Sequence, residues 1–218
     1  AKLNRSKRSE AERDALTDKE YRGILAMLKQ CSGNATAQLK AKQDYAFVRF
    51  AVTSGLRAAE LVGLRWEQIT ETEGVFKATF TGKGNKVRTV QLEHESVRAL
   101  RSAFRARFGR KPQGSDYVLN GLPTGLSKGA GITKSALHYR LKAIIAHAKR
   151  SGIVRANLHV STHTLRHTCA TRLVAAGVPL DAVQRHLGHS NLATTAIYLH
   201  NSVDFTTYWQ AMAGEAAA

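Results

Sequence analysis

Residues 162–200 read THTLRHTCATRLVAAGVPLDAVQRHLGHSNLATTAIYLH. This stretch carries His163, His167, His186, His189, Arg166, Arg172 and Tyr198 among apolar residues at helical period. A segment that only packs needs few such groups, so the question is which chemistry they serve. Zinc hydrolysis would use His163 and His167, or His186 and His189. No Glu stands beside the first His, however, and Arg166 lies inside the HxxxH, where a guanidinium would repel a dication. A P-loop needs glycines ending in Gly-Lys-Ser/Thr, and GKGNK at 82–86 lacks the spacing and the hydroxyl. Serine catalysis has no nucleophile elbow to rest on. A helix-turn-helix reader would fit the lengths of 179–187 and 192–198, but LATTAIY is poor in base-reading side chains.

Phosphodiester cleavage through a tyrosine suits the residue types better. It needs a nucleophile, groups that absorb negative charge in the transition state, and an acid for the departing oxygen. Two arginines can each hold a nonbridging oxygen. A phenol, with a pKa of about 10, gains from a nearby base and a positive field. A cationic lysine can protonate the leaving 5′-oxygen. The bond energy stays in a phosphotyrosine, so neither metal nor ATP is required. Residues 162–200 hold only part of this set. Further cations must come from elsewhere in the chain; Arg57, followed by Glu60 within a turn, is a held arginine, though taken alone the pair reads equally as a structural one.

The rest of the chain can build a scaffold for such a site. Its 218 residues are 43% hydrophobic, enough for one domain with a real core. Against 16 Asp and Glu stand 33 Lys and Arg, a formal charge of +17 that will attract polyanions, nucleic acid foremost. Cys31 and Cys169 are far apart and in no metal spacing, which points to buried free thiols in a reducing compartment. No apolar run reaches the length of a membrane span, and the basic start lacks a signal-sequence core. A cytoplasmic, nucleoid-associated location is expected. The chain begins without Met, which leaves a fragment and a processed form both open.

Hydrophobic period lays out the elements. Residues 1–16 form a basic arm or linker. Thr17 and Glu20 make a capping box for a first helix, which residues 31–35 break. A largely buried helix over 36–53 stops at Ser54-Gly55. A short helix over 58–64 carries Glu60. Period two then takes over in runs at 66–69, 75–80 and 87–92, the last two flanking the hairpin turn TGKGNK. Lys83, Lys86 and Arg88 form a basic finger there, able to reach a phosphate backbone. Helices are expected over 93–108 and 133–150, the latter with Lys134, Arg140, Lys142, Lys149 and Arg150 outward. Three more follow over 164–176, 179–187 and 192–198, then an amphipathic piece at 203–212. Arg172, six positions after Arg166, faces elsewhere and reads as a solvent or DNA-backbone charge, whereas His167 and His186 read as structural.

Taken in order, GLRAAEL, GKGNK between strands, HTLRH, LGH and Tyr198 resemble the tyrosine recombinase (phage integrase, Xer-like) family, across roughly residues 55–200. Each piece is weak alone; five in order are specific. The resemblance implies an α+β, mostly α-helical catalytic domain over 17–200 with a small three-stranded antiparallel sheet. By that likeness Arg57 and Arg166 bind the scissile phosphate. His163 contacts the phosphate or the phenol, and His189 is a further phosphate donor. Lys83 is the general acid, with Lys86 its rival. Tyr198 is the nucleophile, leaving a 3′-phosphotyrosine and a free 5′-hydroxyl. Glu60 braces the first arginine, and Lys86 and Arg88 are DNA-backbone candidates.

No cofactor and no metal are implied. The implied partner is double-stranded DNA, with self-association into a synaptic tetramer; an accessory DNA-bending protein is left open. Residues 201–218 form a tail that packs on its own core or docks on a neighbouring protomer. Full-length members usually carry a DNA-clamping domain first, and only a short basic segment precedes the first helix here. A catalytic fragment and a reduced member both fit. Two other activities would share the residues, a type IB topoisomerase-like relaxation and a telomere resolvase. A non-catalytic basic DNA-binding protein is the alternative from outside enzymology.

Overall fold

A computed structural model of the chain describes residues 15–81, 87–121 and 131–188. Helix α1 (Asp18–Lys29) opens on Thr17, whose hydroxyl accepts from the Glu20 amide while the Glu20 carboxylate accepts from the Thr17 amide. Helix α2 (Ala35–Ser54) is the buried rod of the fold. Tyr45, Phe47, Val48, Phe50, Ala51 and Val52 are all enclosed, so it is apolar on several faces rather than along one stripe. It ends at Gly55 in the left-handed conformation, φ 60°. A short helix α3 (Ala58–Gly63) follows.

The sheet is antiparallel, in the order β1 (Ile69–Thr72), β2 (Val75–Thr81), β3 (Val87–Leu92). The register pairs Ile69 with Ala78 and Phe80 with Arg88. Helix α4 (His94–Phe108) packs along α2, and α5 (Lys134–Arg150) closes the other side. Helices α6 (Thr164–Ala175) and α7 (Leu180–Leu187) complete the described chain. Leu16 through Leu165 contribute to one large core, whereas Cys169, Ala170, Val174, Val183 and Leu187 form a small separate cluster between α6 and α7. Among the described residues no helix is long and apolar enough to cross a membrane.

The fold class expected from the sequence is the one found, mostly helical with a three-stranded antiparallel sheet. Four local expectations are corrected. Cys31, in the break after α1, is exposed rather than buried, whereas Cys169 is enclosed. Residues Trp66–Gln68 form a 3-10 turn, not the start of a strand. Gln68 caps the Arg65 amide, and Trp66 turns inward to meet Phe104 edge-on at 6.5 Å. Arg140 does not face outward: it is buried, with Nε 2.5 Å from Asp44 of α2 and the guanidinium over the Phe47 ring. Nor is Arg172 a free surface charge. It pairs with Asp18 and lies 4.5 Å over the Tyr21 ring, tying α6 to α1. The helices expected at 192–198 and 203–212 lie outside the described residues.

Candidate active site

Arg57 is the residue before the first turn of α3, and its placement follows from its two neighbours in sequence. Gly55 turns the chain out of α2. A Cβ there would meet Leu187 Cδ2 at 2.5 Å and Cys169 Sγ at 2.9 Å, so close packing and the positive φ both demand glycine. Glu60, one turn on, accepts the Arg57 amide at 2.7 Å and its Nη1 at 3.2 Å. The Arg57 Nη2 then donates to the Gly188 carbonyl at 2.7 Å, across 131 positions of sequence. These contacts hold a side chain that is still 45% exposed.

Arg166 approaches the same turn from below. It lies in the first turn of α6 and is 5% exposed. Its Nη1 donates to the Gly55 carbonyl at 2.7 Å and its Nη2 to the Leu187 carbonyl at 2.6 Å. Arg57 and Arg166 thus bond to adjacent carbonyls at the end of α7. Burial, followed by repulsion from Arg57 and Arg88, lowers the Arg166 pKa to about 10, so it remains charged at neutral pH. Beneath it the Cys169 thiol is pushed up to about 12 by burial, an inert packing group.

Arg88 is the third guanidinium. It shares the inward face of β3 with Val90 and Leu92, is 17% exposed, and donates from Nη1 to Glu60 Oε1 at 3.2 Å. Arg88 therefore does not extend outward with the hairpin lysines as expected: the alternation of VRTVQL places it on the same face as Val90 and Leu92. His163 immediately precedes α6, three positions ahead of Arg166, and is exposed, with its ring 6.3 Å from that of His167. His186, at the end of α7, has its pKa lowered first by burial and further by Arg88 and Arg166. Its Nε2 is enclosed without a partner among the described residues. The expectation of a fully satisfied structural histidine therefore holds only in part.

The structure accordingly brings together Arg57, Glu60, Arg88 and Arg166, and puts His163 at the start of the helix that carries Arg166. Lys83, Lys86, His189 and Tyr198 lie outside the described residues. The carbonyls of Gly55, Leu187 and Gly188, which orient the arginines, carry no side-chain signal and were not identified from sequence. Chemically the cluster is a half-buried cationic site that reaches the surface at Arg57. Its donors are already aimed, and its charge exceeds what Glu60 can neutralise.

A model of the phage integrase family matches residues 14–204. The chain belongs to the phage integrase family. Among curated relatives, this integrase-family chain is 38% identical over 162 residues to the tyrosine recombinase XerD of Pseudomonas aeruginosa, covering 72% of the chain and 49% of that protein. It is 35% identical over 162 residues to the tyrosine recombinase XerC of Pelobacter propionicus, covering 74% and 49%. The chain spans about half the length of the curated relatives it matches. In solved structures it is similar to the XerH site-specific recombinase bound to difH substrate in a pre-cleavage complex. The TM-score is 0.66 at 26% identity, over 86% of this chain and 50% of that one. XerA recombinase superposes with a TM-score of 0.61 at 25% identity, over 92% and 64%. The Tn1549 transposon integrase, at 20% identity and TM-score 0.65, shares the fold.

Proposed function

We propose that the chain is the catalytic domain of a tyrosine site-specific recombinase, cleaving and rejoining duplex DNA through a 3′-phosphotyrosine. The observation that carries this reading is the convergence of Arg57 and Arg88 on the Glu60 carboxylate, and of Arg57 and Arg166 on the carbonyls at the end of α7, a surplus of positive charge held in place before any ligand arrives. Family membership and the DNA-bound XerH relative support it.

In this reading Arg57 and Arg166 each hold a nonbridging oxygen of the scissile phosphate. The Tyr198 oxygen attacks phosphorus as its proton passes to His163, or to water where His163 instead contacts the phosphate. A phosphorus–O(Tyr198) bond forms as the bond to the 5′-oxygen breaks. Lys83 donates the proton that makes the 5′-hydroxyl, Lys86 being the other candidate on the same hairpin. His189, next to Gly188, is a further donor to the phosphate. Rejoining reverses these steps with a different 5′-hydroxyl, which exchanges strands. Glu60 does no chemistry and keeps Arg57 oriented. The step conserves bond energy in the phosphodiester, so it consumes no nucleotide. Assembly into a synaptic tetramer, a basic arm over 1–16, a docking tail over 201–218 and action in the nucleoid belong to the same proposal.

The test is a covalent adduct. A duplex recovered by binding from a random-sequence library is rebuilt as a panel with single nicks, so that a short cleaved strand diffuses away and the intermediate is trapped. Wild-type protein should form a denaturant-resistant protein–DNA species, and Tyr198→Phe should form none while keeping its affinity. Peptide mapping should find the DNA on Tyr198. An adduct that persists in Tyr198→Phe would overturn the assignment of the nucleophile.

A further inference from the structure

Arg88 occupies a costly position for a side chain that is only backbone filler. Its guanidinium is drawn into the protein between β3, α3 and the end of α7, and Nε and Nη2 are enclosed with no partner among the described residues. An apolar residue would stabilise that position better than a charge with incomplete hydrogen bonding. What Arg88 does touch is specific. Its Nη1 meets Glu60 Oε1, the same atom that accepts Arg57 Nη1. Its side chain also packs directly under Gly188, where an added Cβ would fall 2.4 Å from Nη1 and 2.7 Å from Cδ. The Gly188 carbonyl in turn holds Arg57 Nη2. Both side-chain anchors of Arg57 are therefore in contact with Arg88.

We propose that Arg88 is a positioning residue: through Glu60 and the Gly188 turn it fixes the guanidinium of Arg57. It thereby locks the strand that follows the 82–86 hairpin onto the two-arginine cradle. This rests on the recombinase reading above. Arg88 itself makes no contact with DNA in this role. Its directly paired neighbour across the sheet, Phe80, lies under the guanidinium at 6.0 Å and limits its other rotamers.

The test uses the full chain with Arg88→Met, Arg88→Lys, Arg57→Ala and the double variant Arg57→Ala/Arg88→Met. Single-turnover adduct formation on the trapped duplex, DNA affinity and thermal unfolding are measured for each. Arg88→Met should slow cleavage roughly 10²-fold, the scale expected when a reacting group is misplaced by about an ångström, with affinity nearly unchanged. The double variant should be no slower than Arg57→Ala alone, because the two losses share one cause. Arg88→Lys should recover part of the rate, since its charge still reaches Glu60. Wild-type cleavage by Arg88→Met, or rates that multiply in the double variant, would overturn the proposal. A second readout is independent of cleavage. The Arg57 guanidinium proton signal, assigned by its loss in Arg57→Lys, should be exchange-protected in wild type and lose protection in Arg88→Met. If wild-type protein forms no adduct, the recombinase reading fails, and this signal still decides whether Arg88 positions Arg57.

Discussion

Two arginine clusters in this molecule solve opposite problems. In the main core, Arg140 and Asp44 are both almost fully enclosed and pair at 2.5 Å, with Lys40 reaching the second Asp44 oxygen at 2.9 Å from the half-exposed rim. Enclosed charge is there balanced one for one, and the guanidinium also covers Phe47. At the end of α7, by contrast, Arg57, Arg88 and Arg166 share Glu60 alone, and Arg166 has only backbone carbonyls as hydrogen-bond partners among the described residues. Carbonyl dipoles orient a cation without cancelling its charge. Arg140 and Arg166 are buried alike; what differs is whether the charge is neutralised. A neutralised pair holds helices together, whereas an oriented surplus awaits an anion.

The sharpest way to break this contrast is to delete one arginine from each cluster. Arg166→Ala should cut adduct formation by about 10²–10³-fold or more, the cost of losing one aimed donor to a transition-state charge. Arg140→Ala should instead lower stability by up to about 3 kcal/mol, since it leaves buried Asp44 with Lys40 at the rim as its one remaining cation among the described residues, and leave cleavage per folded molecule as it was. Replacing both core partners, as Asp44→Leu/Arg140→Met, should return most of that stability. Chemical denaturation read beside single-turnover rates separates the two outcomes. A core variant that folds normally yet cannot cleave would erase the distinction.

Glu60→Gln is the next largest effect and bears on the surplus itself. The carboxamide cannot neutralise Arg57 and Arg88, so the guanidiniums repel each other and Arg57 loses its clamp. Cleavage should fall about 10²-fold, at least as far as in Arg88→Met, since the direct anchor of Arg57 is lost. DNA affinity at low salt should hold or rise, because the net charge has grown. Rate and affinity moving in opposite directions is the signature, checked by pairing adduct kinetics with a salt titration of binding.

Sequence and structure part company at the same two clusters. Hydrophobic period located α2, α4, α5, α6 and α7 to within a residue or two, because each buries apolar side chains at helical spacing. Arg57, Glu60 and Arg166 were legible because their types and short-range spacing survive in the string. What could not be read was which charges go inside. Arg140 sits at a helical position that looks polar until Asp44, 96 positions away, comes to meet it. Arg172 likewise acquires its partner, Asp18, from 154 positions away. Residues 66–69 read as strand from their period-two pattern, which a three-residue 3-10 turn mimics, and the contact of Trp66 with Phe104 favours the turn. The carbonyls that aim the arginines are chemically the same as every other carbonyl, and only the fold singles them out.

The smallest effect expected is on acid stability, and it again separates the site from the scaffold. His186 sits beside Arg88 and Arg166, and its pKa lies below the ordinary 6.5, chiefly through burial; contacts with the Thr53 and Ser54 backbone only partly offset this. As pH falls below 6.5, the unfolded chain takes up a proton that the folded chain resists. The stability associated with neutral His186 is thus full above 6.5 and is lost as pH falls toward and through the folded value. At the α1 anchor, burial would raise the Glu20 carboxyl, but the Arg155 and Thr17 amides and the Arg155 guanidinium outweigh it and hold the pKa below 4.5. Its stabilisation is present above 4.5 and disappears only in stronger acid. Denaturant midpoints across pH should therefore show two acid steps. His186→Leu should flatten the upper one and leave the lower in place, and Glu20→Gln should do the reverse. If His186→Leu leaves the upper step unchanged, His186 is not the group whose burial beside the arginine cluster couples folding to pH there.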